Sequence, residues 1–302
     1  MVLANAAFRP AQNFGLAFEF APPEVGPCPE QQRDGADMIS GRIVEVGGVP
    51  VLLRVEDRAL QEAVDKWYAD YLTTKPSAEP FELTVKVAPD GGGYRGDQPR
   101  VEWLEGRWLF ERFDFRAEWF PDSGRGWVRQ EWAFHQSIDS VLRVLHSILL
   151  APKGGCLLHA ASAVRNGRAF AFTGVSGAGK TTLARLAPPD VVLLTDEISY
   201  IRSVDGVYRA FGTPFAGDLG IAGENISAPL EALYLLAKGP ENKIEPLSRK
   251  QAVNVLMRNI LFFAKDPKLV EVLFETACRI AACVPAYRLT FTPTPDVWEM
   301  VG

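Results

Sequence analysis

The run Gly174-Val175-Ser176-Gly177-Ala178-Gly179-Lys180-Thr181 fits G-x-x-x-x-G-K-[ST], the spacing of a loop that wraps nucleotide phosphates. Its glycines let successive backbone N–H groups turn inward with no Cβ in the way. Lys180 is placed to reach the β- and γ-phosphates. The Thr181 hydroxyl suits the shell of Mg²⁺, a hard cation that prefers oxygen. A helix starting here adds the partial positive charge of its N-terminus.

Phosphoryl transfer to a hydroxyl also needs a carboxylate within reach of the acceptor's proton. Asp196 and Glu197 end the apolar run Val191–Thr195, one short helix after the loop. Adjacent residues of a strand point to opposite faces unless the chain turns. Asp196 is therefore expected on the metal side and Glu197 as the base; two solvated turn acids are the alternative. Three further residues could take part, each with a plainer reading. His159 lies in an apolar strand, where a satisfied core histidine is common. Asp218 sits in a glycine loop as either a second metal or acceptor-site acid or a solvated one. Arg258 is either a phosphate contact or a surface arginine covering apolar neighbours.

The elements that position these residues are legible in part. Arg168–Thr173 reads as a strand entering the loop, and Thr181–Ala187 as a short helix stopped by Pro188-Pro189. Leu157–Arg165 precedes that strand across Asn166-Gly167, the strongest short-range hairpin signal. The strand feeding the phosphates thus has an antiparallel neighbour, unlike the crossover-built parallel sheets of common phosphate-loop enzymes. Ile198–Arg202 and Val207–Phe211 form another hairpin on Asp205-Gly206, and Leu230–Ala237 a buried strand. Ser248 and Gln251 make a capping box for a helix to about Phe263. Asp266-Pro267 begins a helix to Cys283, and Ala286–Phe291 is a final strand.

Upstream, Asn13–Phe20 alternates as an edge strand. Gly41–Val46 and Val49–Val55 form a hairpin on Gly47-Gly48. Asp57 caps a helix to about Leu72, and Phe81–Val87 is a strand. Val101–Leu104 and Arg107–Phe113 pair around Glu105-Gly106, followed by strands at 116–120 and 126–132. The tryptophans read as core rather than binding surface. From Ser137 a helix presents Ile138, Val141, Leu142, Leu145, Ile148 and Leu149 on one stripe and ends before Pro152. The chain divides into a β-rich N-terminal lobe, 1–130, and a nucleotide-binding domain, 131–302. The fold class is mixed α/β.

Composition sets the wider frame. The 302 residues are 47% hydrophobic and 23% charged, with a formal net charge of −5. That suits a globular chain and gives no field to gather nucleic acid or anionic membrane. No run approaches the ~20 apolar residues of a membrane span. Met1–Phe8 lacks the basic and apolar regions of a signal peptide, so a cytoplasmic location is expected. Cys28, Cys156, Cys278 and Cys283 are scattered and read as buried free thiols.

Taken in order, Leu158-His159-Ala160, the Asn166-Gly167 hairpin, Gly174–Thr182, Thr195-Asp196-Glu197 and Gly212–Phe215 resemble the catalytic domain of HPr kinase/phosphorylase. They resemble more closely the HPr-kinase-related proteins of modified-peptide gene clusters, including lasso peptide kinases. The resemblance covers about residues 130 to 295. It implies the fold shared with phosphoenolpyruvate carboxykinase, with Thr182 extending the nucleotide-binding segment. It also implies that Asp196 and Glu197 divide between metal and acceptor, and that His159 faces the reacting phosphate. Glu197 stands where HPr kinase has Asp, and that enzyme's C-terminal signature is absent, so neither its protein substrate nor phosphorolysis is implied.

The resulting expectation is a kinase using ATP and Mg²⁺ to phosphorylate a serine or threonine hydroxyl of a peptide or small protein. A small-molecule kinase and a nucleotide-switched regulatory module are the alternatives. The oligomeric state is left open, a homo-oligomer included.

Overall fold

The computed structural model describes residues 41–88, 94–264 and 266–302. The strand expected at Asn13–Phe20, and Cys28, lie outside the described residues.

β1 (Gly41–Val46) and β2 (Val49–Val55) pair antiparallel around Gly47 and Gly48, whose φ angles of 57° and 72° suit the tight turn. α1 (Arg58–Trp67) starts at Asp57, whose carboxylate accepts from the Leu60 amide at 2.8 Å. It stops earlier than the periodicity predicts, because Tyr68 leaves helical geometry and residues 69–71 tighten into a 3₁₀ turn before β3 (Leu72–Thr73). β4 (Phe81–Val87), β5 (Arg100–Leu104), β6 (Arg107–Arg112), β7 (Phe115–Phe120) and β8 (Arg125–Gln130) complete a sheet ordered β3-β1-β2-β4-β8-β7-β6-β5. Trp108 and Trp119 are core, as expected, whereas Trp103 and Trp132 are half exposed.

α2 (His135–Leu150) buries the predicted stripe of Ile138, Val141, Leu142 and Leu145. It also buries Asp139, Arg143 and His146, which the stripe does not include. The reason is its position between layers. One core runs from Val44 and Leu53, through Leu142 and Leu145, to Leu157, Ile198 and Tyr200 of the second sheet and Phe215 of the loop after it. A helix with packing partners on both sides is buried nearly all round.

The second sheet carries the phosphate loop. β9 (Cys156–Arg165) and β10 (Arg168–Thr173) form the expected hairpin, with Asn166 and Gly167 at φ 51° and 73°. α3 (Lys180–Arg185) follows the loop. β11 (Val192–Thr195) and β12 (Ile198–Val204) then run along the far edge of β9 as one interrupted strand. The interruption is Asp196-Glu197. β13 (Val207–Phe211) joins β12 to β14 (Ser227–Lys238). β15 (Lys243–Pro246), α4 (Arg249–Asn259), α5 (Pro267–Cys283) and β16 (Ala286–Phe291) finish the domain.

β10 therefore has β9 antiparallel on one side, as expected, and β14 parallel on the other. β14 is in turn parallel to β16. The fold is mixed α/β, with two multi-stranded sheets and five α-helices among the described residues. α4 has its capping box but ends at Asn259, short of Phe263, because Ile260 bridges to Leu158 and the Leu261 amide donates to Leu157 O. Cys156 is buried, its thiol pushed up to about 12 by desolvation. Cys278 is half-buried and Cys283 exposed, against the expectation of buried thiols throughout. Among the described residues no helix is long and apolar enough to cross a membrane.

Candidate active site

The phosphate loop leaves the end of β10 and closes on itself. Ala178 N donates to Val175 O at 3.0 Å, and Lys180 Nζ donates back to Gly174 O at 3.2 Å. Gly177 and Gly179 take φ angles of 73° and 110°, the left-handed region where a side chain is strained. A Cβ on Gly179 would stand 2.7 Å from the Phe291 ring, and one on Gly174 2.8 Å from the Ala178 Cβ. These positions need glycine for space as well as for φ. Val175, Ser176 and Gly177 are exposed at the crown, open to a ligand. Thr182 continues the first turn of α3, half-buried. Lys180 is 9% exposed. Burial pulls its ammonium below the ordinary value, while Glu197 and Asp218 nearby oppose that shift.

The turn between β11 and β12 is made by Thr195. Its Oγ1 accepts from the amides of Glu197 at 3.2 Å and Ile198 at 3.1 Å, turning the chain where a strand would continue. Both acids consequently face the segment 212–224, a loop with its ends drawn together. Thr213 N donates to Leu194 O and Glu224 N to Leu193 O, each at 3.0 Å. Asp196 holds the middle of this loop, its two carboxylate oxygens accepting from Gly217 N and Leu219 N at 2.8 Å each. Between those amides lies Asp218, whose Oδ2 accepts from Thr181 Oγ1 at 3.3 Å. The carboxylate that meets the phosphate loop is thus Asp218, and Asp196 organises the backbone that carries it.

Glu197 is largely buried. Desolvation, reinforced by the neighbouring acids, raises its carboxyl to about 7 despite Arg143, whose Nη1 lies 3.5 Å from Oε2. A buried acid poised near neutrality beside a phosphate loop can exchange a proton at working pH. His159, on β9 opposite Ile198, is held near 4 by burial and then by the Lys180 charge. It is a neutral imidazole within electrostatic reach of that ammonium. Arg258 is exposed on α4, with no structural tie to the loop among the described residues.

Arg143 and Asp139 are the site residues that the sequence reading passed over. Their signal was available: two opposite charges at i and i+4 within an apolar helix. A cavity of about 500 Å³ in the first sheet is lined by Arg112, Asp114, Arg129 and Trp132, away from the phosphate loop.

With that geometry in place, the comparisons bear on family. A family model described as SynChlorMet cassette protein ScmC matches residues 131–302, more than half of the chain. The chain belongs to the ScmC family. No curated protein matches it. Among solved structures, this ScmC-family chain is similar to the Hpr(Ser) kinase/phosphatase from Coxiella burnetii, at 12% identity and a TM-score of 0.26, over 45% of this chain and 78% of that one. A superposition this loose shows neither fold nor chemistry for the ScmC chain, and both rest on the strand pairings and distances above.

Metal and nucleotide can be tested against the residues present. Among the described residues no group of three or more His, Cys, Asp and Glu side chains could hold a metal ion. Mg²⁺ in a nucleotide site needs few protein ligands, since phosphates and water supply the rest. A hydroxyl and a carboxylate at Thr181 and Asp218 suit it. The exposed loop amides and buried Lys180 suit an anionic phosphate chain.

Proposed function

We propose that the chain is a phosphotransferase that moves the γ-phosphoryl group of ATP to a hydroxyl, serine or threonine, of a peptide or small protein. One observation carries this reading: the phosphate loop converges with two acids, Thr181 on Asp218 and Lys180 beside Glu197. A loop serving nucleotide binding alone has no need of a carboxyl held near neutrality at the same place.

In this reading the loop amides and Lys180 bind the phosphates and orient the terminal one. Thr181 and Asp218 would hold Mg²⁺, which supplies charge neutralisation on the transferring group. The acceptor hydroxyl attacks the γ-phosphorus, a new P–O bond forms, and the bond to the β-phosphate oxygen breaks to release ADP. Glu197 as carboxylate takes the hydroxyl proton. His159, neutral and close to Lys180, orients rather than titrates. The family's description as a cassette protein directs the search for the acceptor to products of the same cassette. This role places the chain in the cytoplasm, where ATP is plentiful.

The test is transfer of labelled γ-phosphate from Mg-ATP to cassette-encoded peptides and to serine- and threonine-containing peptide libraries. Transfer that requires Lys180 and Glu197 supports the proposal. ATP turnover that never labels a hydroxyl, with the cassette peptides present, would replace it with a nucleotide-hydrolysing module.

A further inference from the structure

Arg143 is buried at 8% exposure, and a buried guanidinium is costly unless its donors are matched. Here two segments accept its hydrogen bonds and a third pairs with its charge. Nε and Nη2 lie 2.8 Å from Asp139 Oδ2, Nη2 donates to Ala216 O at 3.0 Å, and Nη1 is 3.5 Å from Glu197 Oε2. The Phe215 ring lies 5.6 Å from the guanidinium carbon. Asp139 is steadied in turn by Tyr68, whose hydroxyl donates to Oδ1 at 3.3 Å from the end of α1.

The Ala216 carbonyl and the Gly217 amide belong to one peptide unit. Arg143 grips its oxygen while Asp196 grips its N–H. The next residue is Asp218, at the Thr181 hydroxyl. A single side chain from α2 therefore fixes the loop that delivers Asp218 and forms an ion pair with the carboxylate of Glu197.

We propose that Arg143 is a positioning residue, and that the line Tyr68–Asp139–Arg143 is the strut by which the first-sheet lobe sets the 212–224 loop and Glu197 against the phosphate loop. The meaning of Glu197 rests on the kinase reading; the bracing of the loop does not. A planar fork of five donors can serve three partners at once, and the three donors on a lysine's single nitrogen cannot reach them all. Arg143→Lys keeps the charge that the two acids require while removing the bridge, so it folds where Arg143→Met is at risk. Tyr68→Phe loosens the far end without touching any charge.

The test is hydrogen exchange of the full chain followed by mass spectrometry, with peptides from 168–173 as internal reference. In Arg143→Lys the 212–224 segment exchanges on the order of tenfold faster, the reference strand is unchanged, and Tyr68→Phe shows a smaller change in the same direction. ATP turnover, measured in parallel, falls in kcat with KM for ATP held within about twofold. Exchange of 212–224 that stays at the wild-type rate overturns the strut. So does an equal rise in the reference strand, which would make Arg143 a general stabiliser. Failure of the kinase reading shows elsewhere, as ATP turnover that survives Lys180→Ala.

Discussion

Thr181 donates its hydroxyl to Asp218 across 3.3 Å, joining the first turn of α3 to a loop that begins after β13. Two segments more than thirty residues apart thus share one oxygen-rich corner at the phosphate loop. Asp218→Asn keeps the volume but removes the charge. It is expected to weaken Mg-dependent ATP binding by about tenfold, the lower end for altered metal-site partners. Metal-free nucleotide binding should be unchanged. Titration of ATP with and without Mg²⁺ checks this, and equal losses in both conditions would remove Asp218 from the metal side.

Gly217 lies against both acids. A Cβ there would stand 2.6 Å from Glu197 Cβ and 2.9 Å from Asp196 Oδ2, closer than real contacts allow. Gly217→Ala should displace the loop and cut phosphate transfer while leaving metal-free nucleotide affinity in place, since the phosphate loop is untouched. Calorimetric binding beside an activity assay separates the two. A fully active alanine variant would mean that the loop has room the structure denies it.

In the proposed reaction, Glu197 as base sets the pH dependence. With its carboxyl raised to about 7, the base form accumulates as pH rises through that value. Turnover at saturating ATP should climb between pH 6 and 8 with a midpoint near 7. Glu197→Gln should lose on the order of 10²–10⁴ in rate, the range for a general base. The rate–pH profile is the measurement, and a profile flat across that span would exclude Glu197 as the base.

Stability has its own pH signature. Burial holds His135 and His159 near 4 and His146 near 3, all below the ordinary 6.5. Between those values the unfolded chain binds more protons, so stability present above 6.5 is lost as pH falls. Glu197 runs the other way: its contribution is present below 4.5 and lost as pH rises through 7. Three histidines outweigh one carboxyl. The melting temperature should fall from pH 7 to pH 5, and a rise over that interval would contradict the buried, neutral histidines.

Local patterns carried much of this structure. The Asn166-Gly167 turn announced the antiparallel neighbour of β10, and the Ser248 capping box and Asp266-Pro267 announced α4 and α5. Those features act over a few residues, so type and spacing suffice. The phosphate loop was equally legible. The acids were found, but the direction of each was not, because it depends on Thr195 turning the chain and on Asp196 binding amides twenty residues away. The Asp139–Arg143 pair was visible as opposite charges at i and i+4, but the role of Arg143 was not, for the same reason. Its partners come from α2, from the turn at Glu197 and from the 212–224 loop, and helix periodicity sees only apolar positions. The parallel pairing of β10 with β14 was also beyond local reading, since nearly sixty residues separate the two.

The central claim is that Gly174–Thr181 and Glu197 form one phosphotransfer site. Its most direct test is transfer of labelled γ-phosphate to peptide hydroxyls by the wild type, Lys180→Ala and Glu197→Gln, with ATP affinity measured on each. The account predicts transfer by the wild type, loss in both variants, and ATP affinity within about twofold of wild type in Glu197→Gln. Transfer that persists in Lys180→Ala would contradict it.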